Sequence, residues 1–226
     1  MSGKKGLLLM VLGVILAACA GVQAESITVV NGDFENSGAT PDDGNGTDMV
    51  LDGWSFLGGG TATGVHNPSA SQIAAEAHSG TYCAFVNGAS WGGAGPVQQI
   101  LTATYQPNMT YTLTAYVAYR NDLSGYPVDA ELQLWDVDNA EHFSTASTVL
   151  DITTAGEWQL ITASFTTGTT DDCLGDHIAI RFNRVNGSDG QLLIDDVSLD
   201  ATAVPEPATM SLLAFGGLGI LLRRKR

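Results

Sequence analysis

Thr110-Tyr-Thr-Leu-Thr-Ala-Tyr-Val-Ala-Tyr-Arg120 alternates along its whole length. Tyr111, Leu113, Ala115, Val117 and Tyr119 fall on one side. Thr112, Thr114, Tyr116, Ala118 and Arg120 fall on the other. A period of two is the side-chain period of a strand, and its β-branched and aromatic residues suit a half-buried pleat. Two segments downstream repeat the pattern. Over Ala130–Val137, Ala130, Leu132 and Leu134 point inward, and Glu131, Gln133 and Trp135 point outward. Over His177–Arg184, Ile178, Ile180 and Phe182 point inward, and His177, Arg181 and Asn183 point outward. Further strands are expected at 26–30, 51–56, 80–86, 97–102, 148–153, 158–166 and 191–200. Ser69–His78 reads either as a short helix, which its alanines allow, or as an irregular crossing. About ten short strands with turn residues between them, and no long helix, predict an all-β antiparallel sandwich of jelly-roll type.

The two ends of the chain differ from this body. Lys4 and Lys5 precede an apolar run, Leu7–Ala18, and Val22-Gln-Ala24 places small residues at the cleavage positions. Residues 1–24 therefore read as a signal peptide, leaving Glu25 as the mature start. Leu16-Ala-Ala-Cys19 offers the rival reading of a lipobox. At the other end Val204-Pro205-Glu206-Pro207 precedes an uncharged apolar run to Leu222 and then Arg223-Arg-Lys-Arg226. As a helix, the stretch from Ala208 to Leu222 is about 23 Å long, short of the ~30 Å hydrocarbon core. The basic end would hold the C-terminus on the cytoplasmic side.

This terminal block, with Gly216, Gly217 and Gly219 in its apolar part, resembles the PEP-CTERM sorting signal of bacteria. The resemblance implies processing by an exosortase-type membrane protease, loss of the tail, and delivery to the cell surface or extracellular matrix. The precursor would touch the membrane only transiently. The body is then one domain, residues 25–203, followed by the sorting signal, 204–226.

The body carries three arginines, Arg120, Arg181 and Arg184, no lysine, and all the acidic residues except Glu206. That balance disfavours nucleic acid and anionic membranes as partners and favours divalent cations. Cys83 and Cys173 are the two body cysteines, and in an exported chain such a pair is a disulfide candidate.

Asn31-Gly-Asp-Phe-Glu35, Asp52-Gly-Trp54, Ser79-Gly-Thr-Tyr82, Gln98-Gln-Ile100 before Tyr111-Thr-Leu113, Gly156-Glu-Trp158 and Ile194-Asp-Asp-Val197 occur in that order. Together they resemble carbohydrate-binding modules of the galactose-binding-like jelly roll. Such modules often hold a structural calcium between the first and last strands. The resemblance places Glu35 and Asp195 on its side-chain positions, with Asp33 or Asp196 as further candidates and carbonyls near Ser79 and Gly80 beside them.

A sugar needs an aromatic platform flanked by polar groups. The outward residues Tyr116, Arg120, Gln133, Trp135, Arg181 and Asn183 supply one if their strands adjoin. Trp54 and Trp158 read as core. Gly88-Ala-Ser90-Trp-Gly92 has the G-x-S-x-G spacing of serine hydrolases, but the Gly93-Ala-Gly-Pro96 that follows cannot open the helix this chemistry requires. The four histidines lack zinc spacing. The expectation is an exported, surface-sorted jelly roll that binds polysaccharide without catalysis. The alternatives are a structural matrix protein and, third, a glycoside hydrolase.

Overall fold

A computed structural model describes residues 23–58, 62–92, 95–138, 143–185 and 189–205. The apolar stretches expected at both chain ends lie outside these residues. The compact unit, Glu25–Ala201, is built from strands β1 (Glu25–Ile27), β2 (Gly46–Asp48), β3 (Ser55–Phe56), β4 (Thr63–His66), β5 (Cys83–Asn87), β6 (Val97–Thr104), β7 (Met109–Tyr119), β8 (Asp129–Asp136), β9 (Phe143–Asp151), β10 (Gln159–Thr166), β11 (His177–Val185) and β12 (Gln191–Ala203). They form two antiparallel sheets. One runs β10-β7-β12-β5-β4-β2, with β1 added on β12; the other runs β3-β6-β11-β8-β9. This is the expected sandwich.

The alternation read from the sequence sets the registers. Tyr111, Leu113, Ala115, Val117 and Tyr119 are all buried on β7. Across the second sheet Leu132 pairs with Phe182 and Leu134 with Ile180, so the inward residues of β8 and β11 enter the core side by side. Phe34, Trp54 and Phe182 stack through tilted contacts of 5.5 Å each, which puts Trp54 in the core as expected. Trp158 is only half-buried. It packs on a second apolar cluster of Ile73, Cys83, Phe85, Ala118 and Leu193.

Several elements depart from expectation. Only Glu25–Ile27 and Ser55–Phe56 are strand in the first two predicted segments, and β2 and β4 were not anticipated. β2 lies in the Gly- and Asp-rich loop, and β4 contains Gly64. A Cβ on Gly64 would lie 2.0 Å from the Thr47 carbonyl oxygen, so the β2–β4 approach requires glycine there. Ser69–His78 is irregular rather than helical. The Gln72 amide accepts from the Ser69 N–H and donates to the Gly44 carbonyl, and Glu76 has φ 59°. Local side-chain bonds of this sort compete with helix formation.

The candidate disulfide is not formed. Cys83 and Cys173 are buried free thiols. They belong to different apolar clusters, Cys83 on the outer side of β5 and Cys173 in the main core. Burial pushes the Cys83 thiol well above its ordinary range, helped by the Asp195 and Glu35 charges. It pushes Cys173 up to about 11, helped by Asp171 and Asp136.

Candidate functional site

The outer face of the five-stranded sheet gathers four of the six expected sugar-binding residues. Arg181 stands opposite Gln133 and Asn183 opposite Glu131 across the β11–β8 ladder. The Arg181 guanidinium carbon lies 3.6 Å from the Trp135 ring centroid, a cation–π stack. Trp135 Nε1 donates to Gln133 Oε1 at 2.7 Å, and Arg181 Nε donates to Gln98 Oε1. Asn183 Nδ2 donates to Glu131 Oε2 at 3.2 Å, and Ser147 Oγ to Glu131 Oε1 at 2.6 Å. Burial tends to raise the pKa of Glu131, but its bonds from Ser147, Gln133 and Asn183 outweigh this and hold it below the usual carboxylate range. Burial lowers that of Arg181. The result is a half-buried strip whose side chains are already locked in place, a preorganised surface. Gln98, Glu131 and Ser147 were missed as members. Outward alternation on β6, β8 and β9 is the signal that finds them once the strand order is known.

Tyr116 and Arg120 do not belong to this strip. β7 lies in the other sheet, so its outward residues face the opposite side of the sandwich. Alternation gives the side of a strand but not the sheet in which the strand sits. Arg120 is committed to Asp122, with Nε and Nη2 donating at 2.9 and 2.6 Å, and to Gln191 at 3.2 Å.

Tyr116 instead lines a groove of about 700 Å³ with Val29, Asn31, Asp33, Thr114, Leu160 and Asp196. The His78 ring stacks on it at 3.5 Å, 16° from parallel. His78 Nδ1 meets Asp196 Oδ2 at 2.5 Å, and Ser79 Oγ donates to Asp196 Oδ1 at 2.7 Å. Asn31 and Asp196 hold φ values of 49° and 47°, the kind of strain that gathers at functional sites.

Glu35 and Asp195 grip one turn from two sides. Glu35 Oε1 accepts the amides of Thr81 and Tyr82 at 2.8 and 2.7 Å. Asp195 Oδ2 accepts those of His78 and Ser79 at 2.9 and 3.1 Å, and Oδ1 that of Asp196 at 2.8 Å. Asp195 is fully buried, and burial pushes its pKa up to about 7 against those amide bonds. No three acidic, histidine or cysteine side chains already surround one point among the described residues. A hard cation takes oxygen ligands, and Glu35 and Asp195 offer two carboxylates about this turn, each already accepting backbone N–H bonds.

Fold and surface together define a jelly-roll sandwich with two distinct outer-face features and a sorting signal. Residues 203–226 match the PEP-CTERM protein-sorting motif, which indicates export and surface sorting. Residues 25–200 match the family model described as HpiC1 cyclase, and the chain belongs to that HpiC1-like family. Among solved structures, the Stig cyclase Fisc from Fischerella sp. TAU, in complex with (3Z)-3-(1-methyl-2-pyrrolidinylidene)-3H-indole, is 20% identical with a TM-score of 0.67, covering 81% of this chain and 100% of that one. A cyclase from the same organism, in complex with 4-(1H-indol-3-yl)butan-2-one, is 22% identical with a TM-score of 0.65, over 81% and 100%. A family 16 carbohydrate-binding module is 20% identical with a TM-score of 0.47, over 76% and 97%. No curated protein matches the chain. At these identities the structural likeness establishes the fold alone.

Proposed function

We propose that this exported protein holds an extracellular polysaccharide, without catalysis, on the outer face of its five-stranded sheet. The carrying observation is the stacked Arg181–Trp135 pair set among Gln98, Glu131, Gln133 and Asn183. Flat aromatic and guanidinium surface covers sugar C–H faces, and fixed amides and a carboxylate address hydroxyls. Covering ~100 Å² of sugar contributes on the order of 2–3 kcal/mol, which suits weak, exchanging attachment in a matrix. On the same reading an exosortase-type protease trims the tail, and the precursor is anchored in the membrane only until then. A calcium ion held by Glu35 and Asp195 is structural, tying the His78–Tyr82 turn to the segment after β1 and to β12. In affinity electrophoresis through cell-surface polysaccharide, Trp135→Ala should abolish most of the retardation with little loss of melting temperature. Retention unchanged in a folded Trp135→Ala protein would sink the proposal. So would a stability loss of ~3–5 kcal/mol, the mark of a packing tryptophan.

A second reading rests on the groove. The Tyr116–His78–Asp196 arrangement pairs an imidazole with a carboxylate against an aromatic face, apt for proton transfer on a small planar molecule, and the family model is named for a cyclase. Stabilisation by an indole ligand that disappears in His78→Ala would favour this reading over the polysaccharide one.

A further inference from the structure

The Ser69–His78 crossing is fastened over the outer side of β5 and β12 by Ile73, which is fully buried with Cys83, Phe85, Ala118 and Leu193. His66, the last residue of β4, is buried where the crossing begins. One side chain, Gln72, joins the crossing both to β4 and to the turn before β2. Its amide oxygen accepts the Ser69 N–H at 3.1 Å, and its amide nitrogen donates to the Gly44 carbonyl at 3.1 Å. Those two backbone partners fix which end of the amide is which. The oxygen therefore faces His66 Nε2, 3.1 Å away. Nε2 must carry the ring's proton to make that bond, which leaves Nδ1 as a bare lone pair. Nδ1 is buried and has no partner among the described residues. A Cβ on Gly46 would lie 3.1 Å from it, so this side of the ring abuts the backbone of β2.

A second proton would place an N–H without an acceptor, and a positive charge, in that closed space. The charged groups that reach His66 are Arg120 and Asp122. They are bound to each other, and one repels the charge that the other attracts. Phe85 meets the ring edge to face from β5. Glu76 on the crossing, Asp42 and Asp43 before β2, and Asp48 on β2 are exposed, and His78 on the crossing is paired with Asp196. We infer that neutral His66 is the latch of an acid-opened strap: protonation at Nδ1 makes the start of the crossing and the turn before β2 lift away, baring Cys83 and the apolar cluster beneath. Burial lowers the pKa of His66 from 6.5 to about 4. The open form takes up its proton near the ordinary value, so opening becomes easier as pH falls from about 6.5 towards 4. At pH 5 the equilibrium is shifted towards opening by about thirtyfold relative to pH 7.5.

The test uses the full chain in mild detergent with chelator, and a dipyridyl disulfide that labels thiols in acid as well as at neutral pH. Labelling of each cysteine is read by peptide mass against the denatured chain at the same pH. Cys83 should be labelled about thirtyfold faster at pH 5 than at pH 7.5, while Cys173, in the main core, stays protected. His66→Gln keeps a donor towards Gln72 but takes up no second proton, and should cancel the acid rise. Imidazole NMR of the parent, which needs no variant to fold, should find His66 neutral and protonated at Nε2 at pH 6. Equal protection of Cys83 at the two pH values overturns the inference. So does Cys173 becoming reactive in step with it, the mark of global unfolding. An acid rise that persists in His66→Gln, or a ring already charged at pH 6, overturns it too.

Discussion

Raising the pH from about 4 to about 7 should weaken this protein through one buried residue. Asp195 is fully buried, and its pKa stands at about 7 in the fold against 3.8 ordinarily, chiefly through desolvation. Between those values the folded chain keeps a proton that the unfolded chain has released. Stability falls with pH wherever the native state binds more protons. The contribution is therefore complete below pH ~4 and is lost as pH rises through ~7. About three pH units at ~1.36 kcal/mol each give roughly 4 kcal/mol. Urea unfolding across that range, in chelator, measures it. Repulsion among the many other carboxylates slopes the same way, so the relevant quantity is the difference between wild type and Asp195→Asn, which cannot titrate at that position. On the proposed calcium reading, calcium should flatten the wild-type slope, because a bound cation keeps the carboxylate ionised. Parallel stability–pH curves for the two proteins in chelator would refute the reasoning.

Gly80→Ala should lower stability by roughly 1–3 kcal/mol or more, since φ there is +60° and the new Cβ would lie 2.4 Å from the Glu35 carboxyl; melting curves decide. Cys83 and Cys173 should resist a thiol reagent in the folded protein and both react once it is denatured, with no disulfide in the intact mass. Intact mass from native cells should also begin at Glu25 and lack the residues after the Pro-Glu-Pro stretch. A mass keeping Leu212–Arg226 would indicate an uncut anchor, and a lipid on Cys19 would mean that the lipobox was used.

The long alternating strands were legible because each faces both core and solvent, and burial then forces one register. β7, β8 and β11 follow their sequence pattern residue by residue. The short strands β2 and β4 were not legible, since their pairing depends on the bare backbone of Gly64 rather than on a side-chain period. The candidate site was half visible. Gln133, Trp135, Arg181 and Asn183 share a face because β8 and β11 are neighbours, yet nothing local announces that β7 pairs with β10 and β12 in the other sheet. The groove around Tyr116 was invisible for a related reason: His78 and Asp196 reach it from segments 118 residues apart.

β1 pairs with β12 residue for residue, Glu25 with Ala201 and Ile27 with Leu199. The first strand to leave the ribosome thus waits for the last. Pairings so distant along the chain impose a large loop-closure penalty before they return any contact energy, and domains dominated by them fold in milliseconds to seconds rather than microseconds. Until Gln191–Ala203 arrives, β5 and β7 keep open edges, a window in which the half-made sheet is exposed to pairing with other chains.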